Sequence, residues 1–254
     1  QVVDLSELNV PPCIILKSDG ATIYATRDIA AALYRHRTYD FYKNIYVVAS
    51  QQNLHFQQWI QILEMMGYEW ARDCVHIPFG LVSLEEGTMS TRQGRVVFLE
   101  DVLNRAVEQT KQIIIEKNVN TENIDQTAKD VGIGAVVFNE LSNYRIKDYV
   151  FSWDKVLNFE GETGPYVQYT HARACSILRN AGEEVAAKAR EGFDPQYITG
   201  ESAHKLIKLI YDLPDVIVEA GEKYEPSIVT RHIVDIAQGF NKFYHDEHIL
   251  VDNE

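Results

Sequence analysis

The sequence predicts two architectures in one chain, α/β plus all-α: part of a Rossmann-like parallel sheet, followed by a helical bundle. The first hundred residues alternate short apolar runs with patterns of helical spacing, which is typical of strands joined by crossover helices. From about Leu99, long helical patterns dominate and strand signals nearly vanish. A length of 254 residues fits one or two domains. We therefore divide the chain into residues 1–98 and residues 99–254.

The chain begins with a predicted hairpin and helix. Residues 13–17 and 22–25 are short apolar runs on either side of Ser18-Asp19-Gly20, which is a turn signal. Residues 26–37 then place apolar side chains at helical spacing, and Thr26 is a candidate N-cap. The pattern indicates a hairpin that leads into the first helix.

A strand, a helix and a second strand follow. The continuous apolar run at residues 45–49 is typical of a strand buried on both faces. A helix is predicted over residues 53–66, where Gly67 stops it, and a strand over residues 75–80. Two or three central strands make an incomplete sheet, so we expect the chain to begin partway through an α/β domain.

The second half is predicted to be helical. Pro165 and Pro226 sit where helices would begin, a position that proline favours. The charged stretch at residues 183–194 predicts a solvated helix end and a loop, and residues 96–98 carry the remaining strand signal. The predicted helices span residues 99–118, 133–147, 165–181, 202–213 and 226–244.

Composition excludes several classes of protein. Apolar residues make up 46% and charged residues 24%, which is ordinary for a globular chain and excludes a disordered one. The apolar runs fall short of the ~18 residues of a membrane span. Three separated cysteines, Cys13, Cys74 and Cys175, fit a reducing compartment, so we expect a cytoplasmic protein.

The chain is strongly acidic. Its net charge is -13, with 8 basic and 11 acidic side chains in residues 1–100 and 16 and 26 in the rest. Long-range attraction to nucleic acid is therefore excluded as a driving force, and any polyanion has to be held by a local patch.

Candidate site residues follow the strands of the first half. Tyr24 and Asp28 flank the first strand-to-helix turn, and Gln52, His55 and Phe56 follow the strand at residues 45–49. Ligands of open α/β sheets bind at the carboxyl ends of strands, so these side chains suit a small cation and a nucleotide. Each residue also has a purely structural interpretation. Asp28 can stabilise the dipole at the start of its helix, and Tyr24 and Phe56 can be aromatic core residues.

A polar loop at residues 88–94 is a second candidate. It carries hydroxyls and Arg92 between Gly87 and Gly94, after a predicted strand, and such a loop can hold phosphates. A plain surface loop is the alternative. The loop lacks the Gly-Lys-Ser/Thr ending of a P-loop.

Four stretches, in order, resemble arginyl-tRNA synthetases: residues 17–30, 46–56, 89–94 and 159–166. The resemblance covers most of the chain. It implies a class I aminoacyl-tRNA synthetase, which activates L-arginine with ATP to arginyl-adenylate and transfers it to tRNA(Arg). It also implies ATP and Mg²⁺ as cosubstrates. The sequence itself indicates no structural metal and no membrane association, and we expect a monomer.

The resemblance assigns roles to the candidate residues of the first half. It implies that Tyr24, Asp28 and Gln52 bind arginine, and that His55 and Phe56 lie on the ATP side. It further implies that the family's mobile loop, which closes over the triphosphate, contributes the catalytic residues Met89, Ser90 and Arg92.

Residues 165–254 resemble the family's anticodon-binding domain. Five side chains there are candidates for stacking or hydrogen bonding to tRNA: Tyr169, Arg173, Asn241, Phe243 and Tyr244. Aromatic residues at helical spacing are also typical of a bundle core, and the acidic charge of this half favours that alternative for most of its surface.

The sequence departs from the family pattern in two places. Thr88 and Thr91 stand where the common class I loop has lysines, and the His-Ile-Gly-His signature is absent from the chain. We therefore expect a part of a longer enzyme that is inactive alone. The alternative function is a non-catalytic, synthetase-derived tRNA-binding or regulatory module. A metal site at His245-Asp246-Glu247-His248 is the remaining alternative, but no further ligand is apparent at useful spacing.

Overall fold

The computed structural model describes residues 1–84, 98–117, 121–192 and 194–250. The chain divides into two compact units. The first contains Gln1–Leu81 and Ile146–Asp148, and the second contains Val82–Arg145 and Tyr149–Glu254. The domain division expected at residue 98 adjoins residues 85–97, which are not described, and it stays a prediction.

The first unit is built around one parallel strand pair. The strands β3 and β4 run side by side from the Asn44–Cys74 pair to the Ala49–Phe79 pair, and helix α2 connects them. This confirms the predicted strand–helix–strand crossover. The elements of the unit are β1 (Val2–Val3), β2 (Cys13–Ile14), α1 (Tyr24–Tyr39), β3 (Asn44–Ala49), α2 (Asn53–Met65) and β4 (Cys74–Phe79).

The predicted hairpin is wrong in its second strand. Strand β2 pairs with β1, and residues 22–25 contribute only a single bridge, between Leu16 and Thr22. Tyr24 begins α1, with Ile23 as its extended N-cap residue, so the expected cap Thr26 lies inside the helix. The Thr26 hydroxyl instead donates to the Ile15 carbonyl. Several alanines follow in α1, and their high helix propensity favours the early start.

Strand β3 is buried on one face rather than two. Tyr46 and Val48 pack into the core, whereas Ile45 is 49% exposed and Val47 65% exposed. Alternate residues of a strand point to opposite faces, and the aromatic core of α2, with Phe56 among it, lies against the Tyr46 side. The prediction that residues 45–49 are buried on both faces of the strand is therefore wrong.

The second unit is mainly helical, as predicted. Its elements are β5 (Val82–Leu84), α3 (Leu99–Glu116), α4 (Ile124–Ser142), β6 (Tyr149–Phe151), α5 (Trp153–Val156), α6 (Gly164–Ala181), α7 (Glu183–Glu191), α8 (Glu201–Lys223) and α9 (Ser227–Asp246). Helix α3 packs closely on α4, and a Cβ added at Gly132 would lie 2.8 Å from the Ala106 carbonyl oxygen. Strands β5 and β6 pair in parallel, and β6 was not predicted.

Two helices are longer than the sequence patterns indicate. Helix α4 starts at Ile124 rather than residue 133, where the Asn123 side chain caps it by accepting from the Gln126 N–H at 3.0 Å, and it ends at Ser142 rather than residue 147, because Asn143 is extended. Helix α8 continues past residue 213 to Lys223, through Pro214. An interior proline costs about 3 kcal/mol or more, which the packing of α8 on α9 offsets.

The starts of α6 and α9 confirm the proline signals. Pro165 lies in the first turn of α6, where the Thr163 hydroxyl accepts from the Tyr166 N–H at 3.3 Å, and Pro226 is the N-cap of α9. Across the described part of the chain, none of the helices combines the length and hydropathy needed to cross a membrane.

Candidate functional site

A pocket of about 410 Å³ in the first unit brings together five of the predicted residues: Tyr24, Asp28, Gln52, His55 and Phe56. It lies among the side chains of α1, β3 and α2, at the carboxyl end of β3. Its walls are formed by Tyr24, Asp28, Arg35, Tyr46, Val48, Gln52, His55 and Phe56.

The pocket contains one close carboxylate–imidazole pair. His55 Nε2 lies 2.6 Å from Asp28 Oδ2, and the two side chains are 21% and 39% exposed. An ionised carboxylate only accepts hydrogen bonds, so the imidazole N–H is the donor. The Asp28 carboxylate thus stays open to the pocket, where it can hold a cationic group.

Tyr24 and Gln52 are more open to solvent. Tyr24 is 77% exposed at the start of α1, and the Arg27 guanidinium carbon lies 5.9 Å from its ring centroid. Gln52 is exposed in the turn between β3 and α2. Both side chains line the pocket from its solvent-exposed side.

Phe56 is mainly a core residue. Its side chain is 5% exposed, and its ring stacks on His76 with centroids 4.1 Å apart and planes at 12°. Tyr46 packs on it at 5.2 Å. Phe56 therefore shapes the pocket wall, and the packing favours the core interpretation that the sequence left open.

The sequence analysis missed Arg35 and Tyr46. Arg35 donates to the Tyr46 hydroxyl at 3.1 Å and lies over the tyrosine ring at 5.4 Å. Burial raises the pKa of Tyr46, so this hydroxyl stays neutral near pH 7. Arg35 lies seven residues after Asp28 on α1, a helical spacing that was visible in the sequence. Its partner on β3 required the tertiary structure.

The predicted loop residues Met89, Ser90 and Arg92 lie outside the described residues, as do Thr88 and Thr91. Their part in a site stays a prediction from the sequence.

Four of the five predicted tRNA contacts meet where α6 crosses α9. The Arg173 guanidinium lies 5.0 Å from the Tyr169 ring centroid and 5.1 Å from that of Tyr244. Arg173 also donates to Asn241 Oδ1 at 2.6 Å. Tyr169 is 56% exposed and Tyr244 44% exposed, so both rings present aromatic surface to solvent.

Asn241 on α9 connects to three side chains of α6 and belongs to the α6–α9 cluster, which we define as Tyr169, Arg173, Asn241 and Tyr244. Its side-chain amide donates to the Tyr166 and Thr170 hydroxyls, at 2.9 Å each, while its oxygen accepts from Arg173. Because every polar atom of the amide is used, the Asn241 side chain is fixed and fixes the guanidinium in turn. Phe243, the fifth predicted contact, is half-buried on α9.

The acidic and histidine residues at the end of α9 do not form a metal cluster in the described residues, where no group of three or more potential ligands converges. His245 Nδ1 instead lies 3.2 Å from Asp246 Oδ1, in an exposed contact.

Comparisons with known proteins agree with this geometry. Residues 1–153 match the family model described as "tRNA synthetases class I (R), catalytic domain", and residues 167–254 match the "DALR anticodon binding domain". Proteins named arginine–tRNA ligase from Halothermothrix orenii and Clostridioides difficile are 62% and 58% identical. These matches cover 100% of this chain and 44% of each relative, so the chain spans less than half of their length.

Solved structures show the same fold. The arginyl-tRNA synthetase of Thermus thermophilus superposes with a TM-score of 0.85 at 26% identity, over 98% of this chain and 46% of that one. The family resemblance of the sequence is thereby confirmed. The chain belongs to the class I tRNA synthetase (R) family, in which it comprises a part of the catalytic domain and a DALR anticodon-binding domain.

Proposed function

We propose that this chain is part of an arginine–tRNA ligase. In the reaction, the carboxylate of L-arginine attacks the α-phosphate of ATP, which gives arginyl-adenylate and releases pyrophosphate. The arginyl group then passes to the terminal adenosine of tRNA(Arg), and AMP leaves. The observation that carries the proposal is the open carboxylate of Asp28 in a pocket of about 410 Å³, within a chain of this family.

The pocket suits the arginine side chain. A desolvated guanidinium needs an anionic partner, and the planar Asp28 carboxylate can accept two parallel N–H bonds from it. Tyr24 and Gln52 border the same space and supply a ring and an amide for the rest of the substrate. Catalysis then rests on positioning and on charge neutralisation at the α-phosphate, with Mg²⁺ bound to ATP as part of the substrate.

The loop of Met89, Ser90 and Arg92 completes the proposal on the nucleotide side. By its likeness to the family, it closes over the triphosphate, with Arg92 as the nearby cation. His55 is the other candidate from the sequence for the ATP side, and Phe56 forms the wall beside it. This role of the loop follows from the sequence alone.

The α6–α9 cluster is the proposed contact with tRNA(Arg). Two half-exposed tyrosine rings suit stacking of splayed bases, and Arg173 adds a cation in a unit that is otherwise acidic. The family match over residues 167–254 supports this assignment. We further propose that the protein works as a cytoplasmic monomer, which the three free cysteines suit.

Arginine-dependent exchange of labelled pyrophosphate into ATP by the full-length protein tests the proposal. We expect exchange with arginine and none with lysine, because a single ammonium cannot bond the carboxylate in a planar pair. A full-length protein that binds tRNA(Arg) but never supports exchange would favour the non-catalytic tRNA-binding module instead.

A further inference from the structure

The contact between His55 and Asp28 couples two helices inside the pocket. Asp28 lies in the second turn of α1 and His55 in the first turn of α2, 27 residues later. Their 2.6 Å contact uses one carboxylate oxygen, Oδ2. Among the described residues, His55 is the hydrogen-bond partner of this carboxylate, so its other oxygen and remaining lone pairs can accept from a ligand.

The imidazole is itself held in place. It meets the Phe56 ring edge to face, with centroids 5.6 Å apart and planes at 80°, and it is 21% exposed against 39% for the carboxylate. Phe56 is fixed in turn by its stack on His76. The more buried partner is thus anchored in the core, and the more exposed one faces the pocket.

Arg35 lies on the same face of α1 as Asp28 and is a second cation that can compete with the substrate guanidinium for the Asp28 carboxylate. Arg35 follows Asp28 by two turns of α1, lines the same pocket, and donates to the Tyr46 hydroxyl with its guanidinium carbon 5.4 Å from the centroid of that ring. A carboxylate without a second support is free to change rotamer and lose the orientation that a bidentate guanidinium requires. The His55 contact removes that freedom.

We infer that His55 is a positioning residue for arginine: it orients the Asp28 carboxylate toward the substrate guanidinium and belongs to the amino-acid side of the pocket rather than to the ATP side. The inference rests on the proposed function and adds to it a residue for amino-acid recognition. It also differs from the assignment that the sequence suggested for His55.

The first test is the substrate dependence of pyrophosphate exchange in the full-length protein. We expect His55→Leu to raise the KM for arginine about 10-fold, the scale of one hydrogen bond to a charged group, with the KM for ATP unchanged. His55→Gln keeps a donor N–H and should restore the arginine KM to within about 3-fold of the original value. A rise in the ATP KM instead would overturn the inference.

His36→Leu is the matched control. His36 is another aromatic-packed histidine of the first unit, with its ring stacked on Trp70 at 4.4 Å, and it does not line the pocket. We expect this variant to leave both KM values unchanged. A similar rise in the arginine KM in both variants would mean that general loosening of the unit is the cause, and the inference would fail.

A double-mutant cycle separates positioning from a structural role. If His55 acts through the carboxylate, His55→Leu should have no further effect on arginine kcat/KM once Asp28→Asn is present. The same fold-loss in both backgrounds would overturn the inference. Absence of arginine-dependent exchange in the unmodified protein, measured with tRNA(Arg) present, would overturn the proposed function itself. If the His55→Leu variant has a lower melting temperature, His55→Phe, which keeps a ring but has no N–H donor, replaces it in the cycle.

Discussion

Truncation of Tyr244 tests whether the exposed rings of the second unit bind RNA. The side chain is 44% exposed, so slightly more than half of it is buried, against Phe240 and Arg173. A buried tyrosine removes about 150–250 Å² from water, so at about 25 cal/mol/Å² the buried part contributes at most about 2–3.5 kcal/mol to stability. Stacking on a base would add about 1–3 kcal/mol to tRNA binding.

Tyr244→Ala should therefore lower the melting temperature modestly and weaken tRNA(Arg) binding about 5- to 150-fold. The dependence of binding on salt should barely change, because no phosphate contact is lost. Tyr244→Phe keeps the ring and should bind normally. Phe243→Ala should cost stability and leave binding by the folded protein intact, since Phe243 is more buried than Tyr244 and presents less ring surface to a base.

Filter binding at several salt concentrations, together with thermal melts of each variant, measures both quantities. Normal tRNA affinity in folded Tyr244→Ala would refute the stacking role. A lower affinity in Tyr244→Phe would point to the hydroxyl rather than the ring, which would contradict the reasoning from stacking.

Three further predictions concern other sites. Asp28→Asn should keep the fold and lower kcat/KM for arginine by about 2–4 kcal/mol, roughly 30- to 900-fold, without changing the KM for ATP; equal losses for both substrates would make Asp28 structural. Gly132→Ala should lower the free energy of unfolding by about 1–3 kcal/mol, because its Cβ would meet α3 backbone at 2.8 Å. Gly221→Ala on α8, where none of the described residues has an atom within 4 Å of the added Cβ, should raise the free energy of unfolding by about 0.5–1 kcal/mol; denaturant melts measure both, and the opposite order would contradict the packing. Burial raises the pKa of Cys74 to about 11, so at pH 8 roughly one molecule in a thousand is a thiolate. Peptide mapping after brief alkylation should find the partly exposed Cys175 labelled and Cys74 unlabelled, and equal labelling would show that the core opens.

The fold was predictable from the sequence where local signals are strong. The alternation of an apolar run, a helix and a second apolar run correctly predicted β3, α2 and β4. The proline signal at Pro165 placed the start of α6 to within one residue of Gly164. In these places the local preference and the tertiary structure agree.

The remaining features depend on tertiary contacts that no local pattern reports. The early start of α1 at Tyr24 follows a turn that forms only one bridge, and the passage of α8 through Pro214 depends on packing against α9. Likewise, the sequence placed Asp28 and His55 near the same sheet edge, but their direct contact and the position of Arg35 over Tyr46 required the structure.

The parallel pairing of β5 with β6 has a consequence for synthesis on the ribosome. Val82 finds its partner Tyr149 about 67 residues later, and the first unit likewise needs Asp148, whose carboxylate accepts from the Leu81 N–H at 2.6 Å. At about 5–20 residues per second, these early segments wait roughly 3–13 seconds for their partners. During that interval β5 is a short strand without its partner, so this strand pair forms only after Tyr149–Phe151 has been synthesised.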